Sequence, residues 1–354
     1  MSVAALKEDE LSPLKPVKSE MVVGYLAIAV AVTVWAGFAL SIRAIGASPL
    51  ATADVALIRF GIPTLLLLPM LPARWRALRS IRWSDALMVL AGAGLPFFWI
   101  AAAGGAETSA AHVGALIAGT VPVSVALLGY LLNRTRISPR QRSGLLVIAL
   151  GVIALVAAHS QSSHGNIWKG ATLLLIGSLL WAAYTIGLRR TRLDAVGCTL
   201  LLTLPSFAVL LALLSAGAVT THLGHFSFAD ALPFLLVQGL GVGVVASLTY
   251  AAAISRLGPA RSAVIGSLAP ALATIGAVPL LGEALTPAIG LGVAAITVGV
   301  IIANRPDLKV FSPCSLLCQY CRPILFGVSP LPFDRTSVRI RSTLSSASTA
   351  TKLA

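Results

Sequence analysis

Residues 258–303, GPARSAVIGSLAPALATIGAVPLLGEALTPAIGLGVAAITVGVIIA, hold two apolar runs joined by the short turn Gly282-Glu283-Ala284-Leu285-Thr286-Pro287. Each run is long enough to cross the roughly 30 Å hydrocarbon core of a bilayer as an α-helix. Pro270 stands in the middle of the first run. A proline there removes one helical hydrogen bond and crowds the preceding turn, so a helix in water rarely keeps it. Inside lipid, neighbouring helices can re-satisfy the freed backbone groups, and such a proline marks a bend or a cavity.

The same pattern occurs once before. Moving back 148 positions sets Pro270 on Pro122, Pro287 on Pro139, Gly292 on Gly144 and Gly299-Val300 on Gly151-Val152. Leu285-Thr286-Pro287 falls on Ile137-Ser138-Pro139, and at an offset of 146 Trp35-Ala36 with Arg43 returns as Trp181-Ala182 with Arg189. A shared period of this length is an internal duplication. Pro122 and Pro270 are its predicted helix bends.

Composition agrees with a membrane chain. The 354 residues are 57% hydrophobic and 11% charged, with a mean hydropathy of +0.91, whereas a soluble domain carries about 25% charged residues. Ten apolar spans are predicted, at roughly 21–42, 51–71, 85–105, 109–132, 143–158, 168–188, 196–218, 232–255, 259–281 and 286–303. The expected fold class is an all-α integral membrane protein, ten transmembrane helices forming two inverted five-helix repeats. Residues 21–158 and 159–305 are the expected repeats, residues 1–20 an N-terminal tail, and 306–354 a Ser/Thr-rich, disordered tail.

The net charge of +14 invites a nucleic-acid reading, but the charges sit in the wrong places for one. Thirteen arginines lie in four alternate loops, among them Arg74, Arg76, Arg79 and Arg82, then Arg134, Arg136, Arg140 and Arg142, and later Arg189, Arg190 and Arg192. The other loops hold only Arg43 and Lys169. That asymmetry follows the positive-inside rule and predicts cytoplasmic N and C termini. Scattered topology determinants do not make a basic face, which excludes nucleic acid as a partner. The first apolar run is too long for the core of a cleaved signal peptide, and the bacterial inner membrane is the expected location. Five spans per half put the second repeat into the membrane from the opposite side, with a pseudo-two-fold axis in the membrane plane.

Cys314, Cys318 and Cys321 have the spacing of an iron–sulfur motif, but only 33 residues follow, too few for the barrel such a site needs. No metal site, cofactor or disulfide framework is expected.

Four short stretches carry a resemblance: Leu57-Ile58-Arg59-Phe60, Trp181-Ala182-Ala183-Tyr184, Ser247-Leu248-Thr249-Tyr250 and Leu280-Leu281-Gly282-Glu283. In this order, with the duplication, the chain resembles the drug/metabolite transporter superfamily, in its EamA-type ten-helix group, over about residues 21–305. The resemblance departs at Thr135, where the first repeat lacks a counterpart of Glu283. It implies transport of a small molecule, often by efflux; no enzymatic activity is expected. It also implies that spans 1, 3, 4, 6, 8 and 9 line the cavity, which favours Trp35, Phe98, Trp181, Tyr184 and Tyr250 as lining residues. Phe38 joins them as a mid-span aromatic, with Gln238, Ser247 and Ser267 as polar complement; His112, early in span 4, is either a titratable cavity residue or a hydrogen-bonded structural one. A homodimer is left open. The competing readings are a membrane sensor or scaffold and a membrane-embedded enzyme, and no nucleophile–base set favours the latter.

Arg59 is the sharpest single residue, because a charge within a span is costly and faces a cavity or a partner. Two roles stand: contact with a substrate anion or a gate, or an outward-snorkelling side chain paired with Asp54 or Glu107. Glu107 and Glu283, at span ends, are the candidate proton carriers, against a role as interfacial groups that cap helices or pair with basic residues.

Overall fold

A computed structural model describes residues 18–134, 137–159 and 166–304. The expected disordered tail and its three cysteines lie outside the described residues, as does most of the N-terminal tail. Every regular element among the described residues is helical. Ten helical segments are long and apolar enough to span a membrane: Ser19–Ala47, Thr52–Arg79, Trp83–Ala106, Ala110–Leu132, Pro139–Ala157, Ile167–Thr191, Ala195–Ser215, Phe228–Leu257, Arg261–Leu281 and Pro287–Asn304. They are called spans 1 to 10 below.

The starts of several spans are written in short polar residues. Asn166 accepts from the Lys169 N–H at 3.1 Å, Asp194 from the Gly197 N–H at 2.8 Å, and Ser227 forms a reciprocal cap with Asp230. Ser227 explains why span 8 begins at Phe228 rather than near 232. Span 5 likewise begins earlier than its apolar run, at Pro139. Hydropathy ends at Arg140 and Arg142, but the helix continues through them into the interface, with proline at a position where its missing N–H costs nothing.

Pairings between helices follow the duplication. Spans 2 and 7, 4 and 9, and 5 and 10 pack as equivalent partners, while span 1 meets span 8 as span 6 meets span 3. The tightest of these joins spans 5 and 10. A methyl group added at Gly144 would come within 2.5 Å of the Ala303 nitrogen, and one at Gly151 within 2.9 Å of the Ile296 nitrogen. Their duplicates answer from the other side: a methyl on Gly299 would meet the Gly144 oxygen at 2.8 Å and one on Gly292 the Gly151 oxygen at 3.2 Å. Backbones this close require small residues, the usual device where helices associate in lipid.

On the outer surface the apolar residues stay uncovered. Leu146, Leu150 and Ile153 form an exposed stripe on span 5, spaced for one helix face. In water that stripe would be costly; against hydrocarbon it is neutral. Trp83 and Trp168 stand exposed at the starts of spans 3 and 6, where an amphipathic ring suits the headgroup layer.

Three spans are broken, and the breaks bring the site into being. Span 4 is helical over Ala110–Ile117 and again over Val121–Asn133. Span 9 is helical over Pro259–Gly266 and Ala269–Leu281. Pro122 and Pro270 each fall in the first turn of the second piece. Span 3 breaks at Gly94, before Pro96. Span 8 is instead widened into a π-helix over Leu235–Val245.

Candidate functional site

The broken segments enclose a cavity of about 320 Å³ lined from both repeats, within the lower range of small-molecule sites. Trp35 of span 1 and Trp181 of span 6, equivalent in the duplication, stand on its walls. Trp35 meets Tyr250 of span 8 edge-on at 4.8 Å. Trp181 packs at 5.3 Å against Phe97 of span 3. Phe97 in turn stacks on Phe38 at 6.0 Å. The two aromatic walls thus come from helix pairs that the duplication relates. Pro122, Pro270 and Ser267 also line the cavity, so the helix breaks face the space they open. Thr120 and Ser267 each donate their hydroxyl at 2.6 Å to a carbonyl of the preceding turn, satisfying backbone that the breaks loosen.

Arg59 enters from span 2 with only 4% of its surface exposed. Its Nη1–H donates to the Gln238 Oε1 at 2.6 Å, the Gln238 Nε2–H donates to the Ser41 Oγ at 2.7 Å, and the Ser41 hydroxyl donates to the Phe38 carbonyl at 2.9 Å. Because arginine offers donors only, this chain fixes which end of the Gln238 amide faces it. The guanidinium lies 5.1 Å from the centre of the Phe38 ring, 5.5 Å from Phe98 and 5.6 Å from Phe60. Neither outward snorkelling nor a carboxylate partner explains its placement. Asp54 accepts instead from the Ala51 and His222 N–H groups, both at 2.9 Å, and from the Thr221 hydroxyl.

The remaining candidates stand outside the cavity lining. Phe98 is fully buried behind it, edge-on to Phe60 at 6.1 Å. Gln238 is also fully buried and touches the cavity only by way of its bond to Arg59. Tyr184 lies 5.0 Å from the Trp181 ring, one helical turn beyond the cavity wall. Ser247 is half-buried on span 8. His112 is fully buried; its Nε2 lies 3.2 Å from the Leu155 carbonyl, so that nitrogen carries the proton, and its Nδ1 takes the Ser109 hydroxyl at 2.7 Å.

Charge is distributed unevenly along the cavity. Toward the arginine-rich ends of the spans it reaches Gln141, Arg189 and Asn304, and toward the opposite ends it stops at Val113 and Gly114. Beyond that floor lies Glu283, which accepts from the Ala110 N–H at 3.1 and 3.0 Å and pairs with the Arg43 Nε at 3.2 Å. One carboxylate so ties together the end of span 1, the start of span 4 and the turn between spans 9 and 10. Burial raises the Glu283 carboxyl above its ordinary value, opposed by the Ala110 N–H and by Arg43. Glu107 behaves in the opposite way: the Lys169 ammonium at 2.7 Å and the Asn166 N–H hold it below its ordinary value.

Sequence reading named Arg59 and the aromatic rings but missed Ser41, Phe97 as cavity wall, and the mouth residues Gln141, Arg189 and Asn304. Phe97 carried the same mid-span aromatic signal as Phe98. Gln141 and Asn304 carried none, because each reads as an ordinary polar helix end, and Arg189 stood out only as the duplicate of Arg43 and as part of a basic loop.

Ten apolar helices in two related halves around a shared cavity define a multi-pass membrane protein built as transporters are. The chain belongs to the EamA-like transporter family, which it matches over residues 22–157 and again over 168–305. A solved structure titled only "Crystal structure of protein" is similar in fold, with a TM-score of 0.56 at 20% identity, covering 83% of this chain and 98% of that one. No curated protein matches the chain.

Proposed function

We propose that this protein is a secondary transporter that exports a small, partly apolar compound across the bacterial inner membrane by alternating access. The observation that carries the reading is the cavity itself, lined by both repeats, reaching the arginine-rich side and ending below the Glu283 junction. The positive-inside rule assigns the arginine-rich side to the cytoplasm, so the described arrangement takes its cargo from the cell interior. Inverted halves supply a second arrangement, in which the cytoplasmic side closes instead; Thr135 stands where a duplicate of Glu283 would, so that closure is made without the carboxylate. Binding energy need only differ between the two arrangements for the cargo to bias their populations.

The test compares metabolites in the medium and cytosol of cells producing the intact protein with those of cells producing Arg59→Ala. A compound that accumulates outside only with the intact protein supports export. Accumulation inside retains transport and reverses its direction. With both forms correctly inserted, no difference for any compound would move a sensor or scaffold role to the front.

A further inference from the structure

We infer that the cargo is an organic anion: one carboxylate-like group seated on Arg59, with an apolar, preferably aromatic, body against the rings of the cavity. The inference deepens the transport reading of the same site and rests on it for the site's purpose, though not for its chemistry.

The argument begins with a missing charge. Arg59 is nine-tenths buried and lines the cavity. Its hydrogen bond goes to Gln238, a neutral amide, and its Nε–H is buried with no partner. Among the described residues no carboxylate lies within 4.0 Å of it. Ring faces and an amide dipole return part of the lost hydration, but a buried charge without a counter-charge remains strongly unfavourable. An interior built only for stability would pair this guanidinium or dispense with it.

The cavity walls supply no such counter-charge. Among the described residues lining it none is Asp or Glu, and the one other charged residue is Arg189, at the mouth. Two cations along a low-dielectric passage concentrate anions and repel cations. A guanidinium is also the side chain best suited to a planar carboxylate, which it can meet with two parallel donors. Nη1 is committed to Gln238, while Nε–H is left without a partner; Nε and Nη2 together form the side-on edge that a carboxylate meets with two parallel bonds. Trp35, Phe38 and Trp181 give the body of the ligand its apolar surface.

The experiment uses the intact protein in lipid nanodiscs and the fluorescence of its tryptophans, two of which face the cavity. It is titrated with phenylacetate and with phenylacetamide, which share a shape and differ in charge. Phenylacetate is expected to bind about tenfold more tightly or better, the usual worth of a charge-assisted hydrogen bond. Gln238→Glu supplies the missing charge from within and leaves Arg59 in place; it is expected to erase the preference, as is Arg59→Gln. Equal affinities in the unaltered protein, a preference that survives Gln238→Glu, or no saturable signal with either compound would each overturn the anion site. Uptake of the same pair into proteoliposomes separates this inference from the transport reading. Preferential binding of phenylacetate without flux upholds the anion site and overturns transport. Phenylacetamide carried as fast as phenylacetate upholds transport and overturns anion selection.

Discussion

Glu283 joins three segments through one side chain, and its titration is therefore readable in the stability of the whole fold. A carboxyl raised above its ordinary value of 4.5 by burial takes up its proton more readily in the folded chain than in the unfolded one. Its contribution is fully present below that value and is lost as pH rises through the raised one. In thermal unfolding in detergent, the unaltered protein should lose stability relative to Glu283→Gln as pH rises through this range. Glu107 and Asp194, held low by Lys169 and, against the pull of burial, by Arg74, contribute with the opposite sign, so only the difference between the two proteins isolates Glu283. At this scale the sequence was informative about residue type and silent about partners. A charge in an apolar run stands out anywhere; that Arg59 meets Gln238, 179 positions away, depends on how spans 2 and 8 are rotated.

Helix breaks lie on the next scale. Pro122 and Pro270 were legible because a proline within a long apolar run begins a helix rather than continuing one. The widened turn over Leu235–Val245 was not, since its glycines read equally well as packing residues. Replacing Pro122 or Pro270 by alanine adds a backbone donor in the first turn of a helix piece, where no carbonyl of that piece waits for it. Each variant is expected to unfold at an unchanged temperature and to turn over more slowly in a flux assay, because alanine no longer forbids the two helix pieces from joining across the break. The contact of spans 5 and 10 gives a contrasting pair. Gly151→Leu must push apart backbones already in contact and is expected to cost several kcal/mol, on the order of other overpacked interiors or more, read as lost monodisperse protein. Gly290→Leu, on the same interface helix but with nothing within 4 Å, should leave yield and unfolding temperature unchanged.

For the molecule as a whole, the inverted duplication was the most legible feature, because two prolines and two glycines recur at an offset of 148 and a tryptophan with its arginine at 146. What remained hidden was the shape of the space between the halves, which no residue records alone. If export proceeds by alternating access, a short cross-link between Arg43→Cys and Glu283→Cys should hold the far side closed. Flux should then stop, while cargo still binds from the arginine-rich side; continued flux would refute the closure assigned to that junction.

The contact of spans 5 and 10 has a historical consequence. Gly144 meets the neighbourhood of Gly299 and Gly151 meets Gly292, and each glycine is the duplicate of its neighbour's partner. Such a surface is self-complementary: one five-helix unit would make the identical contact with a second copy lying upside down beside it. The fused chain is in this sense a dimer whose two subunits have been spliced head to tail. Cutting it between residues 159 and 166 and producing the pieces together should yield a working protein, with the covalent link replaced by the symmetry that preceded it.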